Sequence, residues 1–425
     1  MIRFRISWRF ISLLILPCLL FHQLSAQSIK RVLFLGNSYT AVNNLPQLIA
    51  DVAASNGDSL IFDKNTPGGY TLEEHSSNAV SIDKIAQGNW DFVVLQGQSQ
   101  RPSWPDEVVE EDVYPYAQIL DSIINTHNSC AETMFYMTWG RKNGDAANCG
   151  WWPPVCTYLG MDSLLRLRYM IMADTNNAIV SPVGAVWKRI RTEFPDIELY
   201  MSDESHPSAA GSYAAACCFY STIFRKNPLL IDYDFTLSSA EAESIRQAVK
   251  EVVYDDLSTW YIGLYDPQAN FEYTIFENGV VEFINKSENA NNYYWTFGDG
   301  NSSEEKNPIH TYDVIGEYLV NLVAINCDFA DTISQIVNPL INFQESFSNS
   351  IEFKVYPNPF TDQLIIEADK FIHFSIINSV GQLCSPQYKA NATKIIIDLS
   401  SYKTGLYQLK IFTENNIISR KVIKL

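Results

Sequence analysis

Residues 32–40 have the sequence Val-Leu-Phe-Leu-Gly-Asn-Ser-Tyr-Thr, in which four apolar residues lead into Gly36, Asn37 and Ser38. A short apolar run that ends at a glycine is typical of a strand buried on both faces of a parallel sheet. Functional groups in such sheets gather beyond the carboxyl ends of the strands. Ser38 would therefore lie at that edge, where a helix begins and a backbone N–H is free for an anion. Taken alone, the segment fits a serine that only caps a helix equally well.

Short apolar segments alternate with helical segments as far as about Tyr261. Strands are predicted at Val32–Leu35, Leu60–Asp63, Phe92–Leu95, Met134–Met137, Ile179–Ser181 and Leu199–Met201. Helices are predicted at Leu45–Ala54, Val113–Asn125, Met161–Ala173, Val186–Glu193, Ala209–Phe224 and Ala240–Asp255. This order predicts an α/β domain over residues 28–264, with helices on both faces of a parallel sheet.

The sequence changes character after Leu264. From Asn270 to Pro339 it is strand-like, and a second strand-like segment runs from Phe353 to Leu425 after a polar linker at residues 344–350. Neither segment has a helical period, and both contain turn signals, such as Asn278-Gly279 in the first and Pro357-Asn358-Pro359 in the second. The two segments predict small all-β sandwich domains at residues 268–340 and 351–425.

Composition excludes several classes of protein. The chain has 425 residues, of which 47% are hydrophobic and 18% are charged, so it holds several domains with buried cores and little disorder. The formal net charge of -18 argues against nucleic acid and anionic membrane surfaces as partners.

Residues 1–26 are predicted to be a secretory signal peptide. Arginines precede an apolar run from Phe10 to Phe21, and Leu24-Ser25-Ala26 offers a cleavage site. The run is too short to span a bilayer, and no later segment is long and apolar enough for a transmembrane helix. Lipid attachment at Cys18 is disfavoured by the preceding Pro17.

Export makes disulfides possible among the cysteines that follow the signal peptide. Cys149 and Cys156 bracket a short loop and are the best candidate pair. Cys217 and Cys218 lie in an apolar helical segment and are predicted to be buried thiols. No cysteine or histidine spacing resembles a zinc site.

The segment Asp203-Glu204-Ser205-His206 carries the second catalytic signal. An aspartate three residues before a histidine can accept the Nδ1–H and hold Nε2 towards a nucleophile. The alternative is an aspartate that caps the next helix beside an exposed histidine. Because Gly-Asn-Ser occurs in the same domain, the pair favours Ser38 as nucleophile, His206 as base and Asp203 as the residue that orients it.

These two segments resemble the first and last blocks of the SGNH/GDSL hydrolases, with Asn37 where the name motif has Asp. The order along the chain, serine first and Asp-x-x-His last, also matches. The resemblance covers about Ile29 to Leu264. It implies a flavodoxin-like three-layer α/β/α fold and ester hydrolysis through an acyl-serine, with no metal or organic cofactor.

The middle blocks of that family supply the oxyanion hole, together with the backbone N–H of Ser38. Gly69 is the first candidate and Gly68 the second, since only glycine lets the backbone approach an oxyanion closely. The family then expects an Asn, but this chain has Gln-Gly-Gln-Ser, which is similar to a block of sialate and xylan acetyl esterases. Gln96 is the predicted amide donor, with Gln98 in reserve.

Three tryptophans, Trp139, Trp151 and Trp152, are candidates for a substrate wall suited to sugar stacking, although a structural role fits them at least as well. His75 follows the Gly69 loop and is predicted to be a histidine on a helix surface rather than a catalytic one.

The two β-segments carry resemblances of their own. Trp295-Thr296-Phe297-Gly298-Asp299-Gly300 followed by His310-Thr311-Tyr312 closely resembles the PKD-type immunoglobulin-like domain, which implies a spacer or a carbohydrate contact. The segment from Val355 to Leu425 resembles the C-terminal sorting domain of type IX secretion in Bacteroidetes. It implies the type IX machinery as a partner and a secreted or surface-attached location.

The sequence therefore predicts a secreted esterase whose substrate is an acylated carbohydrate. Two alternatives stay open. One is a surface carbohydrate-binding or adhesive protein built on a degenerate hydrolase domain, motivated by the Gln-for-Asn change and by the PKD-like segment. The other is a lipase or thioesterase, which differs only in the shape of the pocket.

Overall fold

The structure, a computed structural model, describes residues 28–314, 316–327, 329–339, 353–367, 373–378, 382–391, 393–412 and 417–425. The predicted signal peptide and the linker at 344–350 lie outside these residues. The chain divides into two compact units, Met1–Tyr265 and Asp266–Leu425. None of the helices in the described ranges is both long enough and apolar enough to cross a membrane.

Within residues 28–265, a sheet of five parallel strands forms the centre of the first unit. The strands are β1 Ile29–Leu35, β2 Ser59–Asn65, β3 Phe92–Leu95, β4 Glu132–Tyr136 and β5 Ile179–Ser181. Their order is β2-β1-β3-β4-β5. This is the flavodoxin-like order, so the predicted fold is confirmed. The sixth predicted strand, Leu199–Met201, is wrong, because this segment makes only an isolated bridge between Tyr200 and Pro207.

Helices cover both faces of the sheet, as the buried, apolar strands require. The α-helices of this unit are α1 Ser38–Ala41, α2 Leu45–Ser55, α3 Leu72–Ser77, α4 Ala79–Ile85, α5 Asp106–Asp112, α6 Tyr114–His127, α7 Tyr158–Thr175, α8 Val183–Glu193, α9 Ala209–Phe224 and α10 Ser239–Val252. Helices α2, α8, α9 and α10 pack together in one layer, and α3 to α7 form the other. Helix α9 has the predicted bounds and is buried along almost its whole length.

The short helices α3, α4 and α5 are absent from the sequence prediction, because one or two turns are too short to show a helical period. Helix α3 starts at a capping box in which Thr71 accepts from the Glu74 N–H and Glu74 accepts from the Thr71 N–H. This box fixes the direction of α3 as it leaves the Gly69 loop.

The second unit is built from antiparallel sheets, which confirms the two all-β predictions. Its first strands are β6 Phe271–Ile275, β7 Val280–Asn285, β8 Asn292–Thr296, β9 Ser302–Ser303, β10 Ile309–Thr311, β11 Tyr318–Asn326 and β12 Phe329–Val337. They form sheets in the orders β10-β7-β6 and β12-β11-β8-β9, which share one core. The motif residues explain this core: Trp295 is fully buried, Phe297 stacks on His310, and the Tyr312 hydroxyl donates to the Phe297 carbonyl.

The last strands form a second sandwich of two four-stranded sheets. They are β13 Lys354–Tyr356, β14 Gln363–Glu367, β15 His373–Asn378, β16 Leu383–Cys384, β17 Gln387–Ala390, β18 Lys394–Asp398, β19 Gly405–Phe412 and β20 Ile417–Lys424. The orders are β13-β14-β18-β17 and β16-β15-β19-β20. Alternate residues of the central strands, such as Leu364, Ile376 and Leu409, meet in a common core.

Candidate active site

The turn at residues 36–38, named the nucleophile turn for the predicted role of Ser38, joins β1 to α1. Asn37 caps the helix by accepting the Tyr39 N–H at 3.1 Å, so Ser38 is the first helical residue and not the cap. The Ser38 hydroxyl is therefore available for another partner, and its Oγ lies 2.8 Å from Nε2 of His206. Ser38 therefore does not cap the helix. It lies at the carboxyl edge of the sheet, as the other interpretation of this segment predicts.

A local turn builds the second half of the site. The Oδ1 atom of Asp203 accepts the backbone N–H groups of Ser205 and His206 at 3.1 and 3.0 Å. The other oxygen, Oδ2, lies 2.5 Å from Nδ1 of His206. The spacing of three residues thus lets one carboxylate hold both the backbone and the imidazole ring.

The protonation states follow from this geometry. Burial raises the pKa of Asp203, but the hydrogen bonds from the His206 side chain and from the N–H groups of His206 and Ser205 outweigh burial and lower the pKa below its ordinary value. The ionised carboxylate can only accept, so Nδ1 carries the imidazole proton. Nε2 is then free to accept the Ser38 hydroxyl proton.

Further hydrogen bonds join the two halves, which are 168 residues apart in sequence. The Tyr39 hydroxyl lies 2.7 Å from the Ser205 hydroxyl. The Asn43 side chain donates to the carbonyls of Pro207 and Ser208 at 3.3 and 3.1 Å. The residues on either side of Ser38 and His206 are therefore tied together directly.

Trp139 does not form the predicted substrate wall, because it is fully buried. Its ring stacks on Trp187, with ring centres 3.7 Å apart, and on Tyr39 at 4.8 Å. Its Nε1–H donates to the Ser205 carbonyl at 3.1 Å. Trp139 instead contacts both halves of the site and holds the residues next to Ser38 and His206 in place.

Gln96 also differs from its predicted role as an oxyanion donor. Its side chain is fully buried, and Oε1 accepts the Asn37 N–H at 2.9 Å and the Thr40 hydroxyl at 3.0 Å. Its Nε2 donates to the Gly97 carbonyl. The whole amide is thus engaged beneath the nucleophile turn, where it positions Asn37 and Ser38.

The reserve candidate, Gln98, is engaged as well. Its Oε1 accepts the N–H groups of Gln100 and Arg101 at 2.8 and 3.1 Å, and its Nε2 donates to Gln100 Oε1 at 3.0 Å. One Nε2 hydrogen of Gln98 is not used by these contacts, so its reserve role as an oxyanion donor stays a prediction.

The backbone N–H groups of Ser38 and Gly69, unlike the two glutamine amides, are not engaged within the described residues. Among the described residues, no acceptor takes a hydrogen bond from the N–H of Ser38 or Gly69. Gly69 has φ +75, a left-handed conformation that favours glycine, whereas Gly68 has no such requirement. The Gly69 loop is held against the nucleophile turn because Asn37 Nδ2 donates to the Tyr70 carbonyl at 3.0 Å.

His75 is buried, so its predicted surface position is wrong. Nε2 donates to the Gly36 carbonyl at 2.9 Å, and Nδ1 accepts from the Ser81 hydroxyl at 2.8 Å, which in turn accepts from Asn65. Burial lowers the pKa of His75, against the hydrogen bond to Gly36 and the charge of Glu74, which raise it. The neutral ring links α3 to the residue that begins the nucleophile turn.

Cys149 and Cys156 form a disulfide, with their Cα atoms 4.6 Å apart, as the sequence predicts. Cys217 and Cys218 are buried free thiols, also as predicted. The disulfide closes a loop that carries the two remaining tryptophan candidates.

Trp151 and Trp152 have different surroundings. Trp151 is 52% exposed and packs edge-on against Trp104, with ring centres 6.2 Å apart. Trp152 is half-buried, and its Nε1–H donates to the Ser103 carbonyl at 3.0 Å. The loop is thus anchored by Trp152, while Trp151 remains at the surface.

Two family models match the second unit. Residues 268–338 match the PKD domain, and residues 354–425 match the secretion system C-terminal sorting domain. The chain carries a secretion sorting domain. This domain indicates export by its secretion machinery to the cell surface or the medium.

Solved structures similar to the first unit include SGNH hydrolases, as the motifs predict. A DUF4886 family protein from Bacteroides uniformis is 17% identical over 54% of this chain and 95% of that chain, with a TM-score of 0.46. A protein from Slackia heliotrinireducens described as an SGNH hydrolase is 26% identical over 46% and 100%, with a TM-score of 0.39. A psychrotrophic esterase from Pseudoalteromonas is 14% identical over 46% and 97%, with a TM-score of 0.33. No curated protein matches the chain.

Proposed function

We propose that the N-terminal domain is a serine esterase that removes acetyl or similar short acyl groups from carbohydrates. The observation that carries this proposal is the hydrogen-bonded chain from Ser38 through His206 to Asp203, with separations of 2.8 and 2.5 Å. A serine hydroxyl is a weak nucleophile unless a base is held beside it, and the base needs a third group to orient it.

The reaction proceeds in two steps. The Ser38 oxygen attacks the ester carbonyl while His206 Nε2 takes the hydroxyl proton, and His206 then returns that proton to the departing alcohol. A water molecule, deprotonated by His206, attacks the acyl-serine carbonyl. The bond between the acyl carbon and Ser38 Oγ then breaks as His206 returns the proton to that oxygen, and the carboxylic acid leaves. Asp203 stabilises the imidazolium formed in each step, without accepting its proton.

The oxyanion of each tetrahedral intermediate needs donors that are not already engaged. The N–H groups of Ser38 and Gly69 meet this condition, since no described residue accepts from them. The proposal therefore assigns the oxyanion hole to these two backbone groups, with Gln96 in a positioning role.

A carbohydrate ester is the substrate that best fits the other observations. The Gln-Gly-Gln-Ser block is similar to that of sialate and xylan acetyl esterases. The sorting domain indicates that the protein acts outside the cytoplasm, where glycans are abundant.

The test is covalent labelling by a fluorophosphonate probe, combined with hydrolysis of p-nitrophenyl acetate. Ser38→Ala should abolish labelling and lower kcat/KM at least about 1,000-fold. Ser202→Ala is the matched control, because Ser202 is an exposed serine in the His206 loop and should leave both unchanged. An undiminished Ser38→Ala enzyme would contradict the proposal, and an unlabelled wild-type protein would favour the adhesive alternative.

A further inference from the structure

A cavity of about 540 Å³ adjoins the nucleophile turn. Its walls include Gly69 and Gln98. These residues are next in sequence to Tyr70 and Gly97, whose carbonyls both accept hydrogen bonds from the Asn37 side chain. The cavity wall is therefore linked through the Gly69 loop to Asn37, the residue before Ser38. The volume of the cavity lies within the range of about 300–1,000 Å³ that is typical of small-molecule sites, and far exceeds what an acetyl group needs.

The walls of this cavity are polar apart from one aromatic ring. Trp104 supplies the ring, and Glu73, Gln98, Gln100 and Arg101 are among the polar side chains around it. A long alkyl chain would remove these groups from water without offering them hydrogen bonds, which is unfavourable. A pyranose ring, by contrast, has hydroxyl groups for the polar walls and an apolar face for an indole.

The charges in the cavity disfavour an anionic ligand. Arg101 is already paired with Glu73 at 3.6 Å and with Asp112 at 3.5 Å. Glu74 adds a further carboxylate to the wall, so carboxylates outnumber the arginine. A uronate or phosphate group would meet net repulsion here, whereas an uncharged sugar would not.

The disulfide loop packs against the aromatic wall of this cavity. Trp104 is half-buried, with the Arg101 guanidinium 5.8 Å from its ring centre and the exposed Trp151 packed against it. Trp152 fixes the loop to Ser103, the residue before Trp104. The position of the ring is therefore determined from two sides.

We infer that this cavity is the subsite for an uncharged pyranose unit of the substrate, with Trp104 as its apolar platform. Its hydrogen-bonding partners are the Glu73 carboxylate and the second Nε2 hydrogen of Gln98 and of Gln100, whose first hydrogens are held by Gln100 and Asp145. As a subsite for an ester substrate, the inference rests on the proposed function. Sugar binding itself does not require Ser38, so the two can be tested separately.

The binding test uses the full chain with Ser38→Ala, titrated with xylotriose and with trigalacturonic acid in a calorimeter. Xylotriose should bind at least about tenfold more tightly than the acidic trisaccharide. Trp104→Ala should lower the affinity for xylotriose at least about tenfold, and Trp104→Phe should give an affinity between those of Trp104→Ala and the protein that retains Trp104. Glu73→Gln removes one carboxylate from the wall and should lower the ratio of the affinity for xylotriose to that for trigalacturonic acid. Equal affinity for both sugars, or no binding of xylotriose, would overturn the inference.

The kinetic test compares acetylated xylotriose with p-nitrophenyl acetate. Trp104→Ala should lower kcat/KM for the sugar ester at least about tenfold and change that for p-nitrophenyl acetate less than about threefold. An equal loss on both esters would indicate a merely structural role and reject the subsite. If wild-type protein hydrolyses neither ester while xylotriose still binds through Trp104, the esterase proposal fails and the subsite stands.

Discussion

Gly36 is a residue of the nucleophile turn that leaves no room for a side chain. A Cβ at this position would lie 2.5 Å from Thr40 Oγ1 and 2.8 Å from Gln96 Oε1. Its φ lies outside the left-handed region, so the constraint is packing rather than backbone conformation. Both oxygens belong to the hydrogen-bond network that holds Ser38, which explains why a glycine is needed one position before the Asn-Ser pair.

His75 holds the same turn from the opposite side, and its replacement should have a pH-dependent cost. His75→Phe leaves the Gly36 carbonyl and the Ser81 hydroxyl without their partner, which should lower the free energy of unfolding by about 1–3 kcal/mol. The pKa of His75 in the folded protein lies below its unfolded value of 6.5. Its stabilising contribution is therefore complete above that value and is lost as the pH falls through the folded pKa.

The measurement is urea unfolding followed by tryptophan fluorescence at about pH 8 and about pH 5. The difference between wild type and His75→Phe should be larger at the higher pH. His127→Phe is the control for the loss of an imidazole, because His127 is exposed. A cost that is equal at both pH values would mean that His75 does not titrate as its burial predicts.

At the scale of elements, the loop closed by the Cys149–Cys156 disulfide packs against Trp104, which lines the cavity. The double substitution Cys149→Ser/Cys156→Ser should lower the free energy of unfolding by about 2–3 kcal/mol, because a short loop regains its freedom in the unfolded chain. Since Trp151 and Trp152 contact the segment at 103–104, kcat/KM for acetylated xylotriose should also fall.

Thermal unfolding and steady-state kinetics check this prediction. Cys384→Ser is the matched control, because Cys384 is a free thiol outside the unit Met1–Tyr265. It should change neither property. An unfolding temperature of the double variant equal to that of wild type would show that the loop is held by its tryptophan contacts alone.

For the whole molecule, the proposed catalytic residues and the sorting domain lie in different units of the chain. Deleting residues 354–425 should remove the protein from the cell surface and the medium, because this segment matches the sorting domain. The proposed esterase activity of the retained protein should persist, since the proposed catalytic residues lie within the unit Met1–Tyr265.

Cell fractionation of the native bacterium, followed by fluorophosphonate labelling of each fraction, measures this outcome. Deletion of residues 268–338, which match the PKD domain, is the control and should leave export intact. Export of the chain lacking residues 354–425 at the wild-type level would contradict the role of the sorting domain.

The sequence by itself predicted the parallel sheet, helix α9 and the pairing of Asp203 with His206. Each depends on neighbouring residues: continuous apolar strands, a long apolar helix, and a carboxylate three positions before an imidazole. The resemblance of the two separate motifs to one family then joined Ser38 to His206, whose Oγ and Nε2 atoms the structure places 2.8 Å apart.

Tertiary structure alone decided the roles of Gln96, Trp139 and His75. Each is fully buried, and each contacts residues far away in sequence: Asn37 for Gln96, Tyr39 and Trp187 for Trp139, and Gly36 for His75. Burial of a polar or aromatic side chain depends on such distant partners, and local patterns do not specify them. The contact between Ser38 and His206 could therefore be predicted from two short motifs, but the residues that hold Ser38 in place could be identified only from the folded structure.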